Sequence, residues 1–414
     1  MGFFSSKPTA PVKQASPQQA PKIVAPRNKP VPPPAPVAIT GLGFACHAGD
    51  QAIELICSII GQMGGVRLSK EHQILSDDGS ETAMPRMAPI AELDDMPERE
   101  RMYQLTTSAL KNATAQLPAN IPVESVLIVI TVAPEFVTRF NKIDPTHLQQ
   151  YLLEEIPTIA TATFRILPTD TGSSSSALRS SLAELNQGKW QAIIFGGADS
   201  LISIDKCLEL DEANRLNTTS HKEGLVPGEG AAFIVLQSVA EASKHTPPIL
   251  GYLRGLGIAA ELNARQAGAQ ATQGLANAIN QALAQAGITA TDVQGIVHNL
   301  GAETVQSLEW YQTTQALWPR RVNEQQRIAV QMGELEQADI PPDPIPQIIL
   351  PHLTMGEIGA AVLPMQLATA LAWIAYDARQ TRWGFPIRNH LLVCDTPDTT
   401  ERGALIISPA LAAT

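Results

Sequence analysis

The chain has 414 residues, 44% of them hydrophobic and 17% charged, with a formal net charge of −11. That length supplies two or three domains, or one large duplicated core. The negative charge excludes nucleic acid and an anionic membrane as the main partner of the folded part. The four cysteines, Cys46, Cys57, Cys207 and Cys394, have no CxxC spacing, so they are expected as reduced thiols of a cytoplasmic chain, with no disulfide framework and no metal. No continuous apolar run is expected to span a membrane, and the N-terminus has no apolar signal core.

Residues 1–36 hold ten prolines and five Lys or Arg, with no acidic residue. Such a stretch lacks the apolar residues that would offset chain ordering, so it reads as a disordered, Pro-rich basic tether. Gly2 and Ser6 also fit the short N-myristoylation pattern, which is too brief to carry an assignment.

From residue 37 the pattern changes. "VAITGLG" (37–43) is a strand running into a glycine turn, and Cys46 stands where a dinucleotide fingerprint needs its third glycine, so no such cofactor is expected. Helical spacing of Met102, Leu105, Ala109, Leu110 and Ala113 predicts a helix over 101–116. "VLIVITV" (126–132) is a fully buried strand by its β-branched content. "TDTGSSSSALRSSLAEL" (169–185) is a turn feeding a helix whose apolar face is Leu178, Leu182 and Leu185, with Gly188 as its stop. Buried strands follow at 191–200 and 230–238.

The second half repeats this rhythm. A strand with a glycine bend covers 249–260, an amphipathic helix 272–287, and a strand at 293–303 delivers His298 to a turn. A long apolar helix is expected over 356–379, and "HLLVCDT" and "GALIIS" close the chain as strands. Strands alternating with helices in two similar halves predict a layered α/β architecture with buried sheets.

Taken in order, "VAITGLGFACHAGD", "DTGSSSSAL", "FGGADS", "GLVPGEGAAFIVLQS", "IVHNLGAETVQSLE" and "MGEIGAAV" resemble the motif series of the β-ketoacyl synthases over about residues 37–408. The resemblance implies a five-layered αβαβα thiolase-like fold of two pseudo-symmetric halves, 37–245 and 246–414. It also implies a dimer, homodimer or heterodimer with a ketosynthase, through the strand "AIIFGG", and an acyl carrier protein as a further partner.

The family's chemistry needs a cysteine thiolate at a helix N-terminus, two histidines and an oxyanion hole of backbone N–H groups. In this sequence the cysteine position falls on Ser173, the first histidine is His298, the second falls on Glu357, and the lysine before it falls on His352. Where the family has a glycine-rich C-terminal loop, this sequence reads "DTPDTTERG", with one glycine. A hydroxyl is a weaker nucleophile than a thiolate, and a carboxylate opposes an enolate, so the family's condensation is not expected.

Two readings of the altered site follow. In one, Ser173, His298 and Glu357 act as nucleophile, base and orienting acid of an acyltransferase or thioester hydrolase. In the other, which is preferred, Ser173 is a helix N-cap, His298 a remnant in a turn and Glu357 a cap on the long helix. The chain would then serve as a ketosynthase partner, or as an adaptor for an unrelated client protein. Cys46–His47 lacks further ligands for a metal. His221 and His245 read as surface residues, Glu229 as holding a turn, and Met355 and Trp373 as core.

Overall fold

A computed structural model of the chain describes residues 35–69, 73–75, 82–133, 145–168, 174–245, 248–264, 273–319, 324–336 and 344–410. Most of the expected tether (1–34) and the serine turn with Ser173 (169–173) lie outside the described residues.

Ten strands form one sheet system. The first half supplies β1 (Val37–Cys46), β2 (Val126–Val132), β3 (Thr163–Pro168), β4 (Ala192–Ser200) and β5 (Glu229–Ser238). The second supplies β6 (Gly251–Ala260), β7 (Gly295–His298), β8 (Gln347–Ile349), β9 (Leu391–Asp395) and β10 (Glu401–Pro409). Their order across the sheet is β8-β7-β9-β10-β6-β1-β5-β4-β2-β3. Each half has the same strand order and the same parallel and antiparallel senses. They join where β1 meets β6 antiparallel, from Val37↔Leu253 to Ile39↔Gly251.

The repetition extends to local detail. The first strand of each half is bulged against its partner, between Ile39 and Gly41 in β1 and between Leu253 and Gly255 in β6. A bulge frees a backbone N–H from the ladder. In both halves a glutamine takes it up: Leu42 N–H donates to Gln116 Oε1 at 3.2 Å, and Leu256 N–H to Gln285 Oε1 at 3.0 Å. One residue on, each strand passes hard against a helix backbone. A Cβ on Gly43 would sit 2.1 Å from the Ala109 carbonyl oxygen, and one on Gly257 would sit 1.9 Å from that of Ala278. Only glycine permits this approach.

The helices bearing on the site are α1 (Ala52–Ile60), α2 (Glu98–Thr114), α3 (Pro145–Glu155), α4 (Ser174–Asn186), α5 (Ile204–Glu212), α6 (Gly274–Ala286), α7 (Thr304–Leu317) and α8 (Val362–Gln380). Helix α2 contacts β1, β4 and β5 of the first half, and α6 contacts β6 and β10 of the second. Helices α4 and α8 each contact strands of both halves, α4 packing on β4, β5, β6 and β10. They therefore lie between the two half-sheets, giving the five layers αβαβα.

This place in the middle layer explains α8, whose residues from Leu363 to Ile374 are all buried. The segment Gly359–Trp383 is long and apolar enough to cross a membrane by composition, but 83% of its most apolar window is buried inside the protein. The helix begins later than its apolar pattern suggests, because Gly356 and Gly359 adopt φ of +71° and +51°, values incompatible with an α-helix.

The strand "AIIFGG" corrects an expectation. It is β4, paired on one side with β2 and on the other with β5, so both ladders are full and it cannot extend a sheet into a second subunit. The edge of that half is β3, which pairs only with β2 among the described residues. His245 corrects another: its side chain is 5% exposed and its Nε2 lies 3.1 Å from Glu241 Oε1.

The matched close approaches predict matched costs. Gly43→Ala and Gly257→Ala should each lower stability by at least ~2 kcal/mol, because the intruding Cβ meets backbone rather than a mobile side chain. Urea unfolding measures both; a loss in one half alone would show that the halves do not share this constraint.

Candidate functional site

The site lies where the ends of β7 and β9 come to the start of α4. Its core is a hydrogen-bonded junction between that helix and the C-terminal loop. Ser175 Oγ donates to Asp395 Oδ2 at 2.6 Å. Ser176 donates both its backbone N–H and its hydroxyl to the two oxygens of Glu401. The first turn of a helix has free N–H groups and a partial positive charge, and a carboxylate satisfies both. Here the protein's own C-terminal loop supplies it.

The loop is held in shape by Arg402. Its guanidinium donates to the carbonyls of Pro397, Thr399 and Glu401 at 3.1, 2.7 and 2.8 Å. It also makes a two-point pair with Glu309 of α7 at 2.7 and 3.0 Å, with both side chains buried. Glu309, which lies in the quoted "IVHNLGAETVQSLE", thus has a visible task. The buried Asp395 carboxyl is pushed up to about 7, chiefly by loss of water, with its hydrogen bond to Ser175 acting in the other direction.

Beside this junction is a cavity of about 300 Å³, lined in part by Asp199, Arg215, Asn299, Glu357, Asp395 and Thr396. Glu357 Oε2 accepts from Asn299 Nδ2 at 2.6 Å, and its Oε1 from the Gly359 N–H at 3.2 Å. The N–H at the entrance to α8 goes instead to Asp199, whose Oδ2 accepts from Ala360 N–H at 2.9 Å. Gly359 has no alternative, since a Cβ there would lie 1.9 Å from that oxygen. Glu357 and Asp199 thus share the entrance to the long helix, Glu357 taking the Gly359 N–H and Asp199 the Ala360 N–H.

His298 ends β7 and is 1% exposed, so it lies in the core and not in a turn. It packs edge-on against Trp310, ring centroids 4.9 Å apart, and neither ring nitrogen has a hydrogen-bond partner among the described residues. It is not among the cavity-lining residues. Burial, with His352 and Arg402 nearby, pushes it down to about 3. His352 is pushed down to about 4 by burial, and its enclosed Nδ1 also has no hydrogen-bond partner among the described residues. The structure thus places His298 and Glu357 in one neighbourhood but joins them by no hydrogen bond, and Ser173 lies outside the described residues.

The other residues singled out have structural settings. Glu229 is fully buried, accepts from Ile90 N–H at 2.8 Å and Ser200 Oγ at 2.9 Å, and lies 3.6 Å from Arg101. Met355 and Trp373 are core, each 1% exposed. Burial pushes the Cys46 and Cys207 thiols up to about 12 and raises Cys394 as well, the reverse of what a thiolate nucleophile requires. Among the described residues no group of three or more His, Cys, Asp or Glu is placed to hold a metal ion.

Comparison with known proteins agrees with this fold. Residues 166–242 match the family model "Beta-ketoacyl synthase, N-terminal domain". No curated protein sequence matches the chain. Among solved structures, a type II polyketide ketosynthase complexed with its acyl-carrier protein and a hexaketide is 14% identical, with a TM-score of 0.66, covering 91% of this chain and 100% of that one. A β-ketoacyl synthase from Burkholderia phymatum STM815 is 15% identical, with a TM-score of 0.63 over 91% and 100%. A ketosynthase in complex with its chain length factor from Xenorhabdus doucetiae is 16% identical, with a TM-score of 0.65 over 91% and 98%. The resemblance read from the sequence holds: the chain has the thiolase-like fold of the ketosynthases, and its elbow segment matches their N-terminal domain.

The buried titrating groups give stability a pH dependence with a defined sign. Between about 4 and about 7 the folded state keeps an Asp395 proton that the unfolded chain releases, so this residue lowers stability as pH rises through that window. His298 and His352 act oppositely, refusing between about 3 or 4 and 6.5 a proton that the unfolded chain takes, so they lower stability as pH falls. Asp395→Asn should therefore gain on the unsubstituted protein by on the order of 2 kcal/mol when urea unfolding is moved from pH 5 to pH 8. A difference that does not change with pH would mean that Asp395 ionises normally.

Proposed function

We propose that this chain is a ketosynthase-like partner subunit that does not itself condense acyl chains. The observation that carries this reading is the junction at the start of α4, where Ser175 and Ser176 are bound to Asp395 and Glu401. Condensation, as the resemblance implies it, needs a nucleophile whose negative charge is favoured by that helix terminus. It also needs an oxyanion that accepts N–H groups there. A carboxylate already seated at the first turn repels a second anion and uses a donor that the anion would need. Serine at position 173 and glutamate at position 357, in place of cysteine and histidine, act in the same direction.

The partner's seat is proposed to be β3. Its six residues leave one side of the ladder without a neighbour among the described residues, and Phe164, Ile166 and Leu167 are only half-buried. The solved ketosynthases that occur with a chain length factor or a carrier protein support a ketosynthase, together with its acyl carrier protein, as the natural associates. The acyl-transfer reading of Ser173, His298 and Glu357 is disfavoured. A histidine pushed down to about 3 is a poor base near neutrality, and no hydrogen bond from Glu357 orients it. The adaptor reading is separated from the partner reading by which protein co-purifies.

Incubated alone with acyl- and malonyl-loaded carrier protein, the purified chain should give no β-ketoacyl product above the blank. Co-expressed with its cognate ketosynthase it should form a complex that Ile166→Lys on the β3 edge disrupts. Condensation by the chain alone would contradict the proposal. An acyl adduct mapped to Ser173 by intact-mass and peptide spectrometry, and absent in Ser173→Ala, would establish the acyl-transfer reading instead.

A further inference from the structure

Beyond the candidate site, one surface stands out at the opposite end of β9. That strand runs from Leu391 to Asp395, so the loop that meets α4 leaves one end and the turn joining α8 to β9 enters at the other. In this turn Trp383 is 66% exposed and Phe385 62% exposed, held there by a tight bend at Gly384 with φ +84°. Between the bend and the end of α8 lies a cleft of about 390 Å³ lined by Tyr376, Gln380, Phe385, Pro386 and Ile387, among others.

The charge around it is unlike that of the chain. Residues 376–394 carry Arg379, Arg382 and Arg388 against the single acid Asp377, on a protein of net charge −11. Arg388 is used internally, its guanidinium bonded to Asp377 at 2.6 Å and lying 4.4 Å from the Trp373 ring centroid. Arg379 and Arg382 are exposed. Arg382 lies over the Trp383 ring, 5.2 Å from its centroid, which sets a positive charge beside the exposed indole. Exposed tryptophan, phenylalanine and arginine around a cleft are the residue types that anchor protein interfaces. Leaving two large aromatics in water is costly unless something covers them.

We propose that this turn is a docking site for an acidic segment of a partner protein, which places an apolar side chain in the cleft and its carboxylates against Arg379 and Arg382. Charge complementarity selects that occupant, because a basic segment is repelled and an uncharged one brings no carboxylate to Arg379 and Arg382. The site is remote from the α4 junction, so its use does not depend on whether the chain pairs with a ketosynthase.

The test uses fluorescein-labelled poly(Glu,Tyr) copolymer as the acidic, aromatic probe, followed by anisotropy with the full-length protein. Iodide quenching of tryptophan fluorescence reports on Trp383, the most exposed of the described indoles. Binding is expected at low ionic strength. It should weaken at least ~tenfold in high salt, and by as much in Arg379→Glu/Arg382→Glu and in Trp383→Ala/Phe385→Ala. All four positions are on the surface, and unchanged melting temperatures will confirm that both variants fold. Bound copolymer should also protect Trp383 from iodide. Absence of binding, or binding that survives both double substitutions, would overturn the proposal. So would preferential binding of phosphatidylserine vesicles or single-stranded oligonucleotide with the copolymer silent.

Discussion

The buried pair between Arg402 and Glu309 is the interaction on which the site depends. It ties β10 to α7, and the same guanidinium gathers the carbonyls of Pro397, Thr399 and Glu401 into a fixed loop. That loop shape brings Glu401 and Asp395 onto the first turn of α4. Removing one partner of such a pair leaves a charge in the interior, typically at a cost of about 3–5 kcal/mol. The junction at the start of α4 is therefore built on a buried ion pair.

The scaffold around the site repeats itself closely. Bulge, glutamine and glycine recur at matching places in β1 and β6, although the two strands differ in most other side chains. These features answer one geometric problem twice: a twisted first strand must meet a helix backbone with no room for a Cβ. The middle layer has no such freedom to repeat, because α4 and α8 face each other's sheets and meet different loops. The start of α4 meets Asp395 and Glu401, whereas α8 follows the Gly356–Gly359 entrance. The symmetric parts hold the fold and the asymmetric parts form the site.

Much of this was legible in the sequence. "VLIVITV" and "AIIFGGADS" are continuous apolar runs and proved to be strands buried along their whole length. The ordered motifs pointed to the right fold at an identity to solved structures of only 14–16%. What stayed hidden depends on contacts between distant residues. Ser175 and Asp395 are 220 positions apart, as the sequence numbering itself shows, and nothing local marks Glu401 as the residue that meets Ser176. The loop "DTPDTTERG" read as a loss of glycines, whereas its acids have partners. The resemblance implied dimer pairing through "AIIFGG", and periodicity does not reveal which neighbours a buried strand has. Asp199, in the quoted "FGGADS", was passed over because the need for an acceptor at Ala360 appears only when α8 is in place.

The central claim is that the positive end of α4 is already engaged by the protein's own C-terminal loop. The most direct measurement is the ionisation of a thiol placed at the elbow by Ser173→Cys in a Cys57→Ser background, read from the pH dependence of its alkylation by iodoacetamide. A free helix N-terminus lowers a thiol well below its ordinary value of about 8.5. The account predicts that this thiol titrates at or above that value, and that adding Glu401→Gln with Asp395→Asn lowers it by about one pH unit or more. A thiol already titrating near 6 or 7 in the single elbow variant would contradict it.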